Sequence, residues 1–178
     1  SDMGIRDRDT INTVIQASAS DLSSMQITED EIKNFEQSYI VACGSAYHTG
    51  VTAKYVIEGL ARIPVEVDVA SEFRYRDPIL QKGNMVIVIS QSGETADTLA
   101  ALRESRERGF KVLGIVNVVG SSIAREADSV MYTWAGPEIA VATTKAYSAQ
   151  LPAVYMLAMK FARLRGTIDQ ETFAGMLP

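Results

Sequence analysis

The sequence has one cysteine, Cys43, and one histidine, His48, among 178 residues. A lone cysteine excludes an intramolecular disulfide framework and fits a reducing compartment. One Cys with one His leaves too few ligands for a zinc site of the usual types, so no metal is expected, and no cofactor. There is no cluster of basic residues either. Seventeen Lys and Arg stand against 22 Asp and Glu, for a net charge of −5, which argues against a nucleic-acid groove. No apolar stretch approaches the ~20 residues needed to cross a bilayer, and no signal peptide opens the chain. The expected setting is therefore soluble and cytoplasmic, with no membrane partner. Two common nucleotide-binding signatures are missing as well. No two glycines stand two positions apart, so G-x-G-x-x-G is absent, and no Gly-Lys pair exists for a phosphate-binding P-loop.

What is present is globular. Hydrophobic residues make up 47% and charged residues 22%, far from the composition of a disordered chain. The length suits one domain with short additions, at about 150 residues per domain. Residues 1–37 read as an N-terminal helical segment. Ile11, Val14, Ile15 and Leu22 give its first part an apolar stripe, and Thr28 with Glu31 forms a capping-box pattern ahead of a shorter helix.

After Ser38 the period changes. Five strands are expected, at 39–43, 65–69, 85–89, 112–116 and 129–132, with helices at 46–60 and 95–108 and a short helical turn at 122–127. Met85–Ile89 and Val112–Val116 are continuous apolar runs, as in parallel strands covered on both faces. Val65-Glu66-Val67-Asp68-Val69 alternates, as a half-exposed edge strand does. Strands separated by helices imply right-handed βαβ units. The expected fold class is α/β, a three-layer α/β/α sandwich on a five-stranded parallel sheet in flavodoxin-like order 2-1-3-4-5. Beyond Thr143 a long helix carries apolar residues over an arc wider than one sheet face requires, which predicts packing on a second body. Pro152 within it predicts a kink or an unpaired carbonyl. The main domain is set at 38–166, and 167–178 reads as a linker.

Ligands of open α/β sheets bind at the carboxyl ends of strands. Two such ends are rich in small polar residues: Cys43-Gly44-Ser45-Ala46 and Ser90-Gln91-Ser92-Gly93-Glu94-Thr95. The second offers three hydroxyls, a glycine that lets the backbone approach a ligand, and the N–H groups of the following helix. That set can hold a phosphate without lysine or arginine. It is equally compatible with Ser92 as a plain N-cap and Glu94 and Asp97 as first-turn acids, and Glu94 opposes an anion unless it points away. Elsewhere, His48 reads as a surface or capping residue, Cys43 as a small hydrophobe, and Lys145 as a solvated lysine. Arg103, Glu104, Arg106, Glu107 and Arg108 read as a solvated helix face.

The stretch Ser90-Gln91-Ser92-Gly93-Glu94-Thr95-Ala96-Asp97-Thr98 closely resembles the signature of sugar isomerase (SIS) domains. With Ala42-Cys43-Gly44, Ala70–Arg76, Asn117–Ser122 and Ala135–Ala146, the chain resembles more specifically the first SIS subdomain in the isomerase half of glutamine–fructose-6-phosphate amidotransferases. This resemblance implies the SIS fold and, for the whole enzyme, conversion of fructose 6-phosphate and glutamine to glucosamine 6-phosphate and glutamate. It implies phosphate binding by Ser90, Gln91, Ser92 and Thr95, and contact between the backbone around Val141 and the sugar. Where the family usually has Thr-Ser after Cys-Gly, this chain has Ser45-Ala46, so a sugar contact passes to Ser45 or is lost. The family's ring-opening histidine, glutamate base and C-terminal lysine match no residue here, so no catalytic residue is assigned. The resemblance thus implies a subdomain of a longer, homodimeric enzyme that binds a phosphosugar but does not turn it over alone. Two alternatives remain: a stand-alone SIS isomerase and a non-enzymatic phosphosugar sensor.

Overall fold

A computed structural model describes residues 12, 15, 16, 18–23, 25–81, 83–134 and 144–176. Five strands, β1 (Ser38–Ala42), β2 (Val65–Val69), β3 (Met85–Ser90), β4 (Lys111–Val116) and β5 (Ser129–Tyr132), form one sheet in the order β2-β1-β3-β4-β5. All four pairings are parallel. The expected topology is therefore present. β1 feeds β2 on one side while β3 lies on the other, so the switch point falls between the carboxyl ends of β1 and β3, where Ala42 pairs with Ile89.

Side-chain alternation divides the core in two. Ile40, Ala42, Ile87, Ile89, Leu113 and Ile115 face one layer. That layer holds α1 (Glu29–Asn34), α2 (Ser45–Ala61) and α6 (Thr144–Arg165). Tyr39, Val41, Val86, Val88 and Val112 face the other, with Phe73, Leu102 and Ile123. It contains α3 (Ala70–Arg76), α4 (Ala96–Glu107) and α5 (Ser122–Glu126). β3 is buried along its whole length, whereas β2 is fully covered only at Val65, as an edge strand should be. α2 can lie close to the sheet because Gly50 has no side chain. A Cβ there would stand 3.0 Å from Ile40 Cγ2 and 3.2 Å from Val67 Cγ1.

α6 narrows one expectation. Much of its wide apolar arc is covered within the protomer: Ala149, Ala153, Val154, Met156, Leu157, Ala158, Phe161 and Ala162 are buried, Leu151 and Leu164 are half-buried, and Tyr155 is exposed. α2 takes one side, tied by a buried bond from Thr49 Oγ1 to Gln150 Oε1 (2.7 Å). Leu22, Ile27, Ile32 and Phe35 of the N-terminal region join the same core. The helix runs unbroken through Pro152. The short helix α3 was absent from the sequence expectation, because only Ala70 and Phe73 of its seven residues are buried and no amphipathic repeat is completed.

The N-terminal region also covers the free edge of β5. Tyr132 N–H donates to Asp21 Oδ2 (2.8 Å), and Ser129 Oγ accepts from Gln26 N–H (3.0 Å). Backbone groups at a sheet edge otherwise lie open to pairing with another chain. At the other terminus, residues 167–176 continue from α6 into α7 (Gln170–Met176), with Ile168 and Phe173 half-buried against the core. Among the described residues, no helix is long and apolar enough to cross a membrane.

Candidate functional site

The loop between β3 and α4 sits at the switch point. Ser90 ends the buried strand and is itself almost fully covered, at 4% exposure. Its Oγ accepts from Gly93 N–H (3.1 Å) and pairs with Thr95 Oγ1 (3.1 Å). Ser92 is exposed, and its Oγ accepts from Glu94 N–H (3.1 Å). Of three hydroxyl protons, the Ser90–Thr95 pair uses one between its members. Two remain to donate outward.

Thr95 precedes α4 with extended backbone angles but makes no side-chain capping bond. Its hydroxyl goes to Ser90 instead. A helix N-terminus carries unpaired N–H groups and roughly half a positive charge, normally answered by a cap. Here the residue placed to answer them is turned aside. The plain N-cap reading of Ser92 also fails on position, since α4 begins at Ala96.

Glu94 points away from the loop's hydroxyls, toward the next strand connection. Ser122 N–H donates to its Oε1 (2.7 Å) and Ser122 Oγ to its Oε2 (2.6 Å). The Ser122 hydroxyl, then its backbone N–H, holds the Glu94 carboxyl below the usual carboxylate range. The one acid that counted against an anion at this loop is thus engaged elsewhere.

Gly93 makes the bend possible. Its φ is +68°, and a Cβ there would stand 2.1 Å from Ser121 Oγ. Gly93 C=O accepts from Ile123 N–H (3.0 Å), and Gln91 C=O accepts from Asn117 N–H (3.2 Å). The β4–α5 connection therefore braces the loop at Gln91, Gly93 and Glu94. α5 is braced in turn, because Arg103 holds Glu126 in a two-point pair (2.8 and 2.7 Å). Arg103 is thus more than part of a solvated face, and its guanidinium keeps the Glu126 carboxyl below its usual range. The Gln91 side chain carries a buried Oε1 with no hydrogen-bond partner among the described residues.

Across the switch point, Gly44 adopts φ +58° and Ser45 opens α2, exposed and next to the carboxyl end of β1. Ala46 behind it is buried. Cys43 is half-buried and accepts from Thr98 Oγ1 (3.8 Å), an internal contact between the end of β1 and the first turn of α4. Val141 lies outside the described residues, and Lys145 falls in the first turn of α6. Sequence reasoning assigned no role to Ser121 or Ser122. The paired serines of a neighbouring strand end were the available signal, but only the fold brings them against Gly93 and Glu94.

The family model for the SIS domain matches residues 31–160. Two curated relatives are glutamine–fructose-6-phosphate aminotransferases (isomerizing). The one from Clostridium tetani is 61% identical over 84% of this chain and 25% of its own length. The one from Clostridium acetobutylicum is 58% identical over 92% of this chain and 27% of its own. The chain thus spans about a quarter of these relatives. Among solved structures, the C-terminal domain of glucosamine-fructose-6-phosphate aminotransferase from Francisella tularensis superposes with a TM-score of 0.81 at 38% identity. That match covers 95% of this chain and 50% of the other. Signature loop, strand order and family match agree: the chain belongs to the SIS-domain family.

Proposed function

We propose that this chain is the phosphosugar-binding subdomain of a glutamine–fructose-6-phosphate aminotransferase. Ser90, Gln91, Ser92 and Thr95 hold the phosphate of fructose 6-phosphate or glucosamine 6-phosphate, and Ser45 with the backbone around Val141 meets the sugar. The observation that carries this reading is the turning of Thr95 onto Ser90, which leaves the start of α4 without a side-chain cap at the switch point. A dianion placed there meets free N–H groups and two available hydroxyls.

In the whole enzyme the reaction passes through sugar ring opening and proton transfer by way of an enediol-like intermediate, with ammonia derived from glutamine. The chemistry assigned to this chain is narrower. It anchors the phosphate and fixes the reacting carbons relative to groups supplied elsewhere, which is catalysis by positioning. The single cysteine supports a cytoplasmic setting. The likeness to the aminotransferases supports a homodimer, which sedimentation of the whole enzyme would test.

An NMR titration tests the site. Fructose 6-phosphate and glucosamine 6-phosphate are expected to shift the amides of Ser90–Thr95, and unphosphorylated fructose to leave them in place. An equal response to plain fructose would remove the phosphate assignment. Turnover of a phosphosugar by this chain alone would favour a self-sufficient isomerase instead.

A further inference from the structure

Glu94 lies between two groups assigned to the phosphate, yet carries the same sign of charge as the ligand. On charge alone it should weaken binding. The structure gives it a different task, since both carboxylate oxygens accept from Ser122. Ser122 Oγ in turn accepts from Arg125 Nη2 (3.2 Å), so a cation stands behind the pair. The backbone N–H of Glu94 donates to Ser92 Oγ. One residue thus grips the ligand loop at Ser92 and the neighbouring connection at Ser122. Beside it, Gly93 is pressed against Ser121 and bonded through its carbonyl to Ile123.

Resting on the phosphate reading above, we propose that Glu94 is a positioning residue: its carboxylate fastens the loop to α5 so that Ser92 and Thr95 present their hydroxyls in a fixed geometry. Without the fastening, the loop keeps its bonds at Gln91 and Gly93, but past Gly93 no bond of Glu94 ties it to α5. Ser92 and Thr95 would then spend part of their time out of register with the start of α4. Such misplacement costs affinity even though a repelling charge has been removed. The two effects of the residue therefore carry opposite signs.

That opposition makes the test decisive. Dissociation constants for fructose 6-phosphate and inorganic phosphate are measured by NMR for the unaltered chain, Glu94→Ala, Glu94→Gln and Ser122→Ala. Amide exchange at Ile123, whose N–H meets the Gly93 carbonyl, is followed in parallel. Glu94 is exposed, and circular dichroism verifies that each variant folds. Glu94→Ala is expected to weaken fructose 6-phosphate about tenfold and to speed exchange at Ile123. Glu94→Gln, which keeps one acceptor oxygen, should recover part of that loss. Ser122→Ala, which keeps the backbone bond, should lose about threefold. Tighter or unchanged binding in Glu94→Ala would overturn the inference and leave the phosphate reading standing. No binding of fructose 6-phosphate or phosphate by the unaltered chain would overturn both.

Discussion

Gly93 is where a single atom decides most. A side chain at φ +68° is strained, and here it would also run into Ser121, which is buried. A left-handed non-glycine residue costs about 1–3 kcal/mol before any clash is counted. Gly93→Ala is accordingly expected to lower stability by at least about 2 kcal/mol in urea titrations, and to abolish phosphosugar shifts in whatever fraction folds. Thr95→Val separates chemistry from shape, since it keeps the branched side chain and loses only the hydroxyl. Calorimetry should show fructose 6-phosphate binding about tenfold weaker, with little change in melting temperature. The acids here also fix a pH dependence. Glu94 and Glu126 have folded-state values below those of the unfolded chain. Their contribution is present above the ordinary carboxylate range, and is lost as the pH falls through the lowered values. Between pH 6 and 8 they should leave stability flat, and an acid melt should show their loss only below about pH 4.

Among the elements, the short helix α1 shows how a local signal and a tertiary one combine. Thr28 accepts from Glu31 N–H (3.2 Å) and Glu31 accepts from Thr28 N–H (2.9 Å), a reciprocal cap legible in the residues. Its other end is closed from a distance. Arg165 Nη1 donates to the carbonyls of Ile32, Lys33 and Phe35 at 3.2, 3.0 and 2.8 Å. Nothing within α1 predicts a partner about 130 residues away. Thr28→Ala should cost about 1 kcal/mol. Arg165→Met should cost about 2 kcal/mol, or a fall of roughly 4–8 °C in Tm, because it leaves three carbonyls short of a donor. α6 teaches the converse. Its composition was legible, but the cover supplied by its own chain was not, because a helix lying between α2 and the N-terminal residues needs apolar side chains over most of its circumference.

For the molecule as a whole, the candidate site is a product of topology. β1 and β3 are neighbours only because the chain reverses direction across the sheet, and that reversal opens the crevice between Gly44 and Ser90. A ligand bound there touches loops from both halves, so it should stabilise the entire domain. At a hundred times its dissociation constant, fructose 6-phosphate should add about 2.7 kcal/mol and raise Tm by roughly 5–10 °C, with fructose giving no shift. Thermal melts with both sugars measure this directly.

Periodicity, propensity and short-range spacing act within a few residues, and those the sequence determined by itself: the five strands, the helices longer than ten residues, the Thr28 cap and the polar turn at 90–95. Parallel pairing also followed, since helices between strands imply right-handed crossovers. The order 2-1-3-4-5 was suggested by the edge-like second strand and fixed only by the fold. What only the tertiary structure decided were relations between distant segments. They include Thr95 turned to Ser90 rather than to its own helix, Glu94 drawn off by Ser122, α6 largely covered from within, and Asp21 on the edge of β5. Each depends on which strand ends become neighbours, and a one-dimensional pattern carries no distance between residues that meet only after the sheet is built.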